Sequence, residues 1–143
     1  KELDKETFFG KREQQFLLAS APKSKFNLGF GYQYKKLKTS LNFTRFSQIK
    51  LIDWQIVQEL SNFNNSEAER LKAATDTYEP KITTDLHFSY QINTIINLQL
   101  GASNLFNVYP TKQNSFTDSG GLWDATQMGT NGSFYYTKLN IKL

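Results

Sequence analysis

The chain contains no cysteine, which removes disulfide scaffolds, thiolate metal sites and cysteine nucleophiles together. It has a single histidine, His87, and one imidazole without thiolates does not make a convincing transition-metal site. No apolar run approaches the ~20 residues that a membrane-spanning helix needs. A strong excess of one charge is lacking as well. Seventeen Lys and Arg face thirteen Asp and Glu, for a net charge of +4, a balance that argues against a nucleic-acid partner. The first of the 143 residues is Lys1 rather than Met, and no charged-then-apolar signal pattern follows it. The expectation is a processed, trimmed or partial chain: one domain's worth, or a piece of something larger.

What is present is polar and aromatic at once. Asn, Gln, Ser and Thr supply close to a third of the residues, yet there are twelve Phe and seven Tyr. Disordered chains are poor in aromatic and β-branched residues. This chain is therefore expected to fold.

Period-two alternation dominates. Between Lys25 and Tyr34 one parity reads Phe26, Leu28, Phe30, Tyr32, Tyr34, and the other Lys25, Asn27, Gly29, Gly31, Gln33. The stretches 36–44, 82–92, 96–103 and 135–143 repeat the pattern, with Leu37, Leu41 and Phe43, then Ile82, Leu86 and Phe88, then Leu98 and Leu100, then Leu139 and Ile141 on the apolar parity. No charge falls on the first face of these five stretches and no aliphatic side chain on the second. Parity also sets the connections, because residues flanking a hairpin loop share a face. Lys35-Lys36 fits a two-residue loop and Asn93-Thr94-Ile95 a three-residue loop, both at one end. The connections at the other end, about 45–81 and 104–133, are long.

Within the first long connection, Ser66 followed by Glu69 fits a capping box that opens a helix over Glu67–Ala74. Ile56, Leu60 and Phe63 share a helical face, although an extended strand remains open there. The second connection is rich in Gly, Ser, Thr and Asn. Residues 1–22 have no clean period and are read as a loop or strand remnant.

A one-sided sheet has two explanations. A soluble antiparallel β-sandwich, serving as a binding or adhesion module, alternates in this way. So does a transmembrane β-barrel. Three details favour the barrel. The stretches run about 9–11 residues, the length of a tilted membrane strand, against ~5–6 for ordinary strands. Aromatics gather at the ends of the apolar face, with Tyr32, Tyr34 and Tyr90 towards the short turns and Phe26, Phe43 and Tyr135 towards the long loops. Short turns at one end and long loops at the other complete the pattern of an outer-membrane barrel.

The run Gly101-Ala102-Ser103-Asn104-Leu105-Phe106-Asn107-Val108-Tyr109-Pro110 resembles the G-x-x-N-L-F-N-x-Y-P stretch near the C-terminus of TonB-dependent receptors. As in that family, a Gly-rich loop (Ser119-Gly120-Gly121-Leu122-Trp123-Asp124) and a final strand follow. The strand entries at Ala21-Pro22-Lys23 and Pro80-Lys81-Ile82 are similar too, so the resemblance covers roughly residues 12–143. Asn104, Leu105, Phe106, Asn107, Tyr109 and Pro110 carry the signature. The resemblance implies an all-β, antiparallel transmembrane barrel of about 22 strands with an N-terminal plug. Residues 23–143 would be the last five or so strands, with long extracellular loops and short periplasmic turns. Physics agrees that five strands are not a whole barrel, since open edges in lipid leave unpaired backbone groups.

The function so implied is import of a scarce ligand across the outer membrane of a Gram-negative bacterium, with a ferric siderophore or other metal chelate as the expected cargo. The implied partners are the rest of the barrel and its plug, a TonB-type energy-transducing protein, outer-membrane lipid and a surface lipoprotein. No catalytic residue, resident metal or cofactor is assigned. Asp85 and His87 lie two apart on the polar face, where a carboxylate near an imidazole could begin a catalytic arrangement. No motif ties a Ser or Thr to them, and they are read as lumen-facing polar side chains. Trp54, Tyr78, Trp123 and Met128 fall in the long connections, as loop packing or as part of a ligand vestibule. Asn-x-Ser/Thr at Asn42, Asn64 and Asn131 is read as chance. The basic pairs Lys35-Lys36 and Lys23/Lys25 are read as solvated or headgroup positions.

Overall fold

The computed structural model describes residues 21–113, 121–123 and 127–142, together with Gly10, Gln14 and 17–19. In chain order the elements are β1 (Lys25–Tyr34), β2 (Leu37–Phe46), β3 (Ile49–Ile52), α1 (Trp54–Glu59), a 3-10 turn (Leu60–Asn62), α2 (Glu67–Ala73), β4 (Thr75–Tyr78), β5 (Lys81–Gln91), β6 (Ile96–Ser103) and β7 (Phe134–Ile141). They fall into two compact units. One contains β1, β2, β5, β6 and β7. The other draws its described residues from the segment before β1 and from 47–80 and 110–128.

The five-stranded sheet has the order β1-β2-β5-β6-β7, and every neighbouring pair is antiparallel. Its register follows the parity of the sequence. Phe30, Leu41, Leu86, Ala102 and Tyr135 form one row across the sheet, and Gly31, Ser40, His87, Gly101 and Tyr136 form the next. The first row lies on the apolar face and the second on the polar one, because successive side chains leave a strand on opposite sides.

Both short turns have local chemistry that holds them. Lys35 takes φ +50, a left-handed conformation that costs a residue with a Cβ roughly 1–2 kcal/mol. Its ammonium lies 5.2 Å from the Tyr34 ring centre. The neighbouring Lys36 accepts from the Gln91 backbone N–H at 2.9 Å and donates through Nζ to the Ile92 carbonyl at 3.0 Å. In the second turn, Asn93 Oδ1 accepts from the N–H groups of Ile95 and Ile96 at 2.8 and 2.7 Å, an Asx turn that closes the loop.

The apolar face is not a core. Phe26 is 62 % exposed, Leu28 45 %, Tyr135 64 % and Ile141 58 %. Two stacked sheets would bury Leu28 and Leu100 between them, and both are exposed. Aromatic residues stand where parity places them, with Tyr34 and Tyr90 in the row next to the Lys35-Lys36 turn.

The long connection after β2 is more than a loop. β3 and β4 pair antiparallel, with Ile49 opposite Tyr78 and Leu51 opposite Asp76. Ala19, Ile49, Leu51 and Tyr78 form a buried cluster with Trp123 packed against it. The stretch around Ile56, which the sequence leaves open between helix and strand, is helical. Asp53 Oδ1 accepts from the Ile56 backbone N–H at 3.2 Å, satisfying a donor of the first turn. The capping box forms as read. Ser66 Oγ accepts from the Glu69 N–H, and Glu69 Oε2 accepts from the Ser66 N–H at 2.8 Å.

Those bonds, the backbone one foremost and then the Ser66 hydroxyl, hold the Glu69 carboxyl below its usual range. Stabilisation of α2 by Glu69 is thus present above the ordinary carboxylate pKa and is lost as pH falls through the folded value. Replacing Ser66 by Ala should weaken the helix by about 1 kcal/mol. Hydrogen exchange should report this as faster exchange confined to residues 67–73, with β5 and β6 unchanged.

Candidate functional site

Most polar side chains of the sheet project from one face, and they sort into tiers along the strands. Near the long connections, Asp85 Oδ1 accepts from Ser103 Oγ at 2.9 Å and from the Asn104 backbone N–H at 2.8 Å. One residue pair further along, the row through His87 is built on glycine. Gly101 leaves room for the Tyr136 ring to lie across its backbone, where any Cβ would overlap the ring. That places Tyr136 6.4 Å from the His87 ring centre and 6.2 Å from Phe134, with which it stacks. Phe134 is 63 % exposed. The sequence reading missed this aromatic shelf as a feature. Its signal was there, since Phe134 and Tyr136 fall on the parity that elsewhere carries amides, hydroxyls and lysines.

Towards the short turns the face becomes a hydrogen-bonded amide ladder. Asn97 Nδ2 donates to Ser89 Oγ and to Gln91 Oε1, and its Oδ1 accepts from Gln99 Nε2 at 3.2 Å. A groove of about 600 Å3 runs over this half, lined among others by Lys36, Lys38, His87, Ser89 and Gln99. Lys38 and Lys138 lie in one row, separated in register by Ser89 and Gln99. Asp85 and His87 thus do share a face, as parity requires. The Asp85 oxygen Oδ1 receives the Ser103 and Asn104 hydrogen bonds while His87 meets Tyr136, so the two do not form an acid–base pair of the kind a catalytic relay needs. Among the described residues no three His, Cys, Asp or Glu side chains gather as metal ligands.

The Asn104–Pro110 signature has a definite mechanical role. β6 ends at Ser103, because Asn104 turns left-handed at φ +50 and Asn107 repeats this at φ +55. Asn tolerates that region better than most residues with a Cβ. The Asn104 carboxamide pairs twice with Val108, accepting its N–H at 2.9 Å and donating to its carbonyl at 2.8 Å. The next N–H, that of Leu105, bonds the Thr84 carbonyl of β5 at 2.7 Å. On the other side, Asn107 Oδ1 accepts the Ser133 N–H, and Ser133 Oγ donates to the Asn104 carbonyl. Tyr135 Oη reaches the Leu105 carbonyl at 3.2 Å. The turn therefore ties the ends of β5, β6 and β7 together. Gly132, at φ +71, packs where a Cβ would strike Tyr109 and Asn107. Phe106 is 68 % exposed, while Pro110 is buried in the other unit.

The four residues considered for a ligand vestibule sit within the unit containing β3 and β4. Trp54 begins α1. Tyr78 is 1 % exposed, and its hydroxyl donates to Gln113 Oε1 at 2.7 Å. Met128 is buried, and Trp123 Nε1 donates to the Pro110 carbonyl at 3.1 Å. Packing is the role that this geometry gives to Tyr78, Trp123 and Met128. A residue not singled out in the sequence organises the same region. Gln127, 1 % exposed, donates from Nε2 to the carbonyls of Ser47, Tyr78 and Glu79.

Comparison with protein-family models, curated proteins and solved structures returns no match.

Replacing Asn104 by Ala strands the partly buried N–H and carbonyl of Val108, and should destabilise the fold by about 1–3 kcal/mol. Asn104→Gly restores the backbone freedom without the carboxamide, so it should recover only the conformational share. Urea midpoints of the two variants separate those contributions.

Proposed function

We propose that these residues form the C-terminal wall of a TonB-dependent outer-membrane receptor, the last five strands of a barrel of about 22. Its cargo is a scarce ligand, with a ferric siderophore or other metal chelate as the leading class. Energy comes from a TonB-type protein acting through the plug, and a surface lipoprotein is a candidate accessory. The observation that carries this reading is the uncovered apolar face of the sheet, set back to back with a face of amides, hydroxyls and lysines. Contiguous apolar patches above a few hundred Å2 mark contact with a membrane or partner. Aromatics near the strand ends, and turns short at one end only, support lipid over protein as what covers it. The N-L-F-N-x-Y-P signature supports the family. A soluble β-sandwich for binding or adhesion would need a second sheet over Leu28 and Leu100, and both stand exposed.

On this reading the polar face looks into the barrel, and the shelf of His87, Tyr136 and Phe134 is where a passing ligand or the plug makes contact. The reaction class is transport, with no bond made or broken.

Two experiments test the proposal at different depths. In the folded barrel, Leu86→Lys near mid-strand should cost ~2–4 kcal/mol, while Gln99→Lys on the wet face should cost much less. Equal losses in unfolding free energy would defeat the assignment of lipid and lumen. For the cargo, deleting the gene should abolish growth on one ferric chelate as sole iron source, with free ferrous iron restoring it. Unchanged growth and unchanged uptake of labelled iron on every chelate tried would remove the metal-chelate reading and leave the barrel standing.

A further inference from the structure

Along the five long strands the apolar parity carries a single charged residue, Arg45, the last but one of β2. The register places it between Phe26 of β1 and Ile82 of β5, at the end of the sheet near the long connections. Arg45 is exposed, and so are Phe26 and Ile82. The next row on the same face is Leu28, Phe43 and Thr84, which bears no charge. A guanidinium therefore belongs to the border of an uncovered apolar face, with an exposed apolar residue in register on either side.

We propose that Arg45 binds the phosphate of a membrane-lipid headgroup whose acyl chains lie along Phe26, Leu28 and Ile82. The argument is complementarity to an amphiphile. A guanidinium offers a planar fork of N–H donors that matches phosphate at two points, and it is more weakly hydrated than an ammonium. Free phosphate gains nothing from the apolar neighbours, and a bare acyl chain gains nothing from the cation. A lipid with an anionic head uses both. The long aliphatic stem of Arg also covers apolar surface while its charged end stays at the water boundary.

The spacing agrees with that placement. Arg45 and the Lys35-Lys36 turn lie at opposite ends of β2, about 30 Å apart along the strand. At the ~40° tilt of membrane strands this spans about 23 Å, against ~25 Å for the apolar band of such barrels. At the turn end, the Lys35 ammonium lies beside the ring of Tyr34, a residue of the apolar parity. Cations thus stand at both borders of the band. The proposal rests on the reading of this face as lipid-facing, and adds the headgroup chemistry recognised at one membrane boundary.

The test uses the full-length polypeptide extracted from membranes in a non-ionic detergent, beside its Arg45→Gln variant. The probe is dihexanoyl phosphatidic acid. Dihexanoylglycerol supplies the same chains without phosphate, and inorganic phosphate supplies the head without chains. Native mass spectrometry follows retained lipid across a titration. The parent should retain phosphatidic acid in preference to both controls. Arg45→Gln should weaken the tightest site about tenfold or more, the share of a charge-assisted hydrogen bond. Arg45→Lys keeps the charge without the fork and should fall between the two. Equal retention by the parent and Arg45→Gln would overturn the proposal. So would dihexanoylglycerol retained as strongly as phosphatidic acid, or displacement of the lipid by inorganic phosphate at equal concentration. Should Arg45→Gln fail to assemble, the unaltered protein decides. Phosphatidic acid with a photoreactive acyl chain should label Phe26, Leu28 or Ile82, and labelling confined elsewhere would overturn the proposal too. Alkaline carbonate extraction tests the lipid-facing reading without reference to Arg45. A chain that stays in the membrane but shows no headgroup preference loses only this proposal, whereas a chain released into the wash loses the barrel.

Discussion

Register is the constraint on which the rest depends. In an antiparallel sheet, moving one strand by a single residue turns all its side chains to the opposite face. Here such a slip would put Lys38 or Asp85 among Leu41, Leu86 and Leu100. The structure resists it at both ends of β5 and β6. At the short-turn end the Asn93 carboxamide fixes the three-residue loop, and Lys36 links one turn to the next. At the other end Asp85 and Asn104 lock β6 to β5, while Asn107 and Ser133 bring in β7. Side-chain amides do most of this work, which explains part of the unusual Asn and Gln content.

The glycines of the polar face follow from the same rows. Gly31 and Gly101 share a row with His87 and Tyr136. A residue with a Cβ at Gly101 would collide with the Tyr136 ring. A bare stretch of backbone is thus covered by an aromatic ring from the neighbouring strand, which compensates for the side chain that glycine lacks. The ring in turn forms the middle of the shelf between Phe134 and His87. A substitution at Gly101 would therefore alter the site by displacing the Tyr136 ring.

The five long strands were legible because eight or more residues of alternation leave little room for another period. The register of β1 with β2 and of β5 with β6 was legible too, since each short turn with matching parity fixes its hairpin, whereas β2 with β5 and β6 with β7 meet across long connections that set no register. The four-residue strands β3 and β4 carry too few residues for a period to show. Their pairing joins Ile52 to Thr75 across two helices, a contact that no local pattern announces. Tyr78, Trp123 and Met128 illustrate the consequence. An aromatic or Met in a long connection reads equally well as a surface contact or as a core residue, and only the partners across that hairpin decide between them. The signature at Asn104 shows a different limit. The motif was visible as a string, whereas its use of one carboxamide to close on Val108 and of a left-handed backbone to leave the strand required coordinates.

Asp85 connects the mechanical and electrostatic features of the sheet. A strand that turns away at Asn104 leaves backbone N–H groups without a ladder partner, and those in the partly buried interior must find an acceptor. Thr84 supplies a carbonyl to Leu105, and Asp85 supplies a carboxylate to Asn104 and Ser103. A charged acceptor makes the stronger bond, and it holds the turn where strand pairing ends. The same placement keeps the sheet's one carboxylate away from the lysines at the opposite end. Stability near the long connections and positive charge near the short turns thus have a common origin. The residue that could have neutralised the lysine row is the one the turn requires.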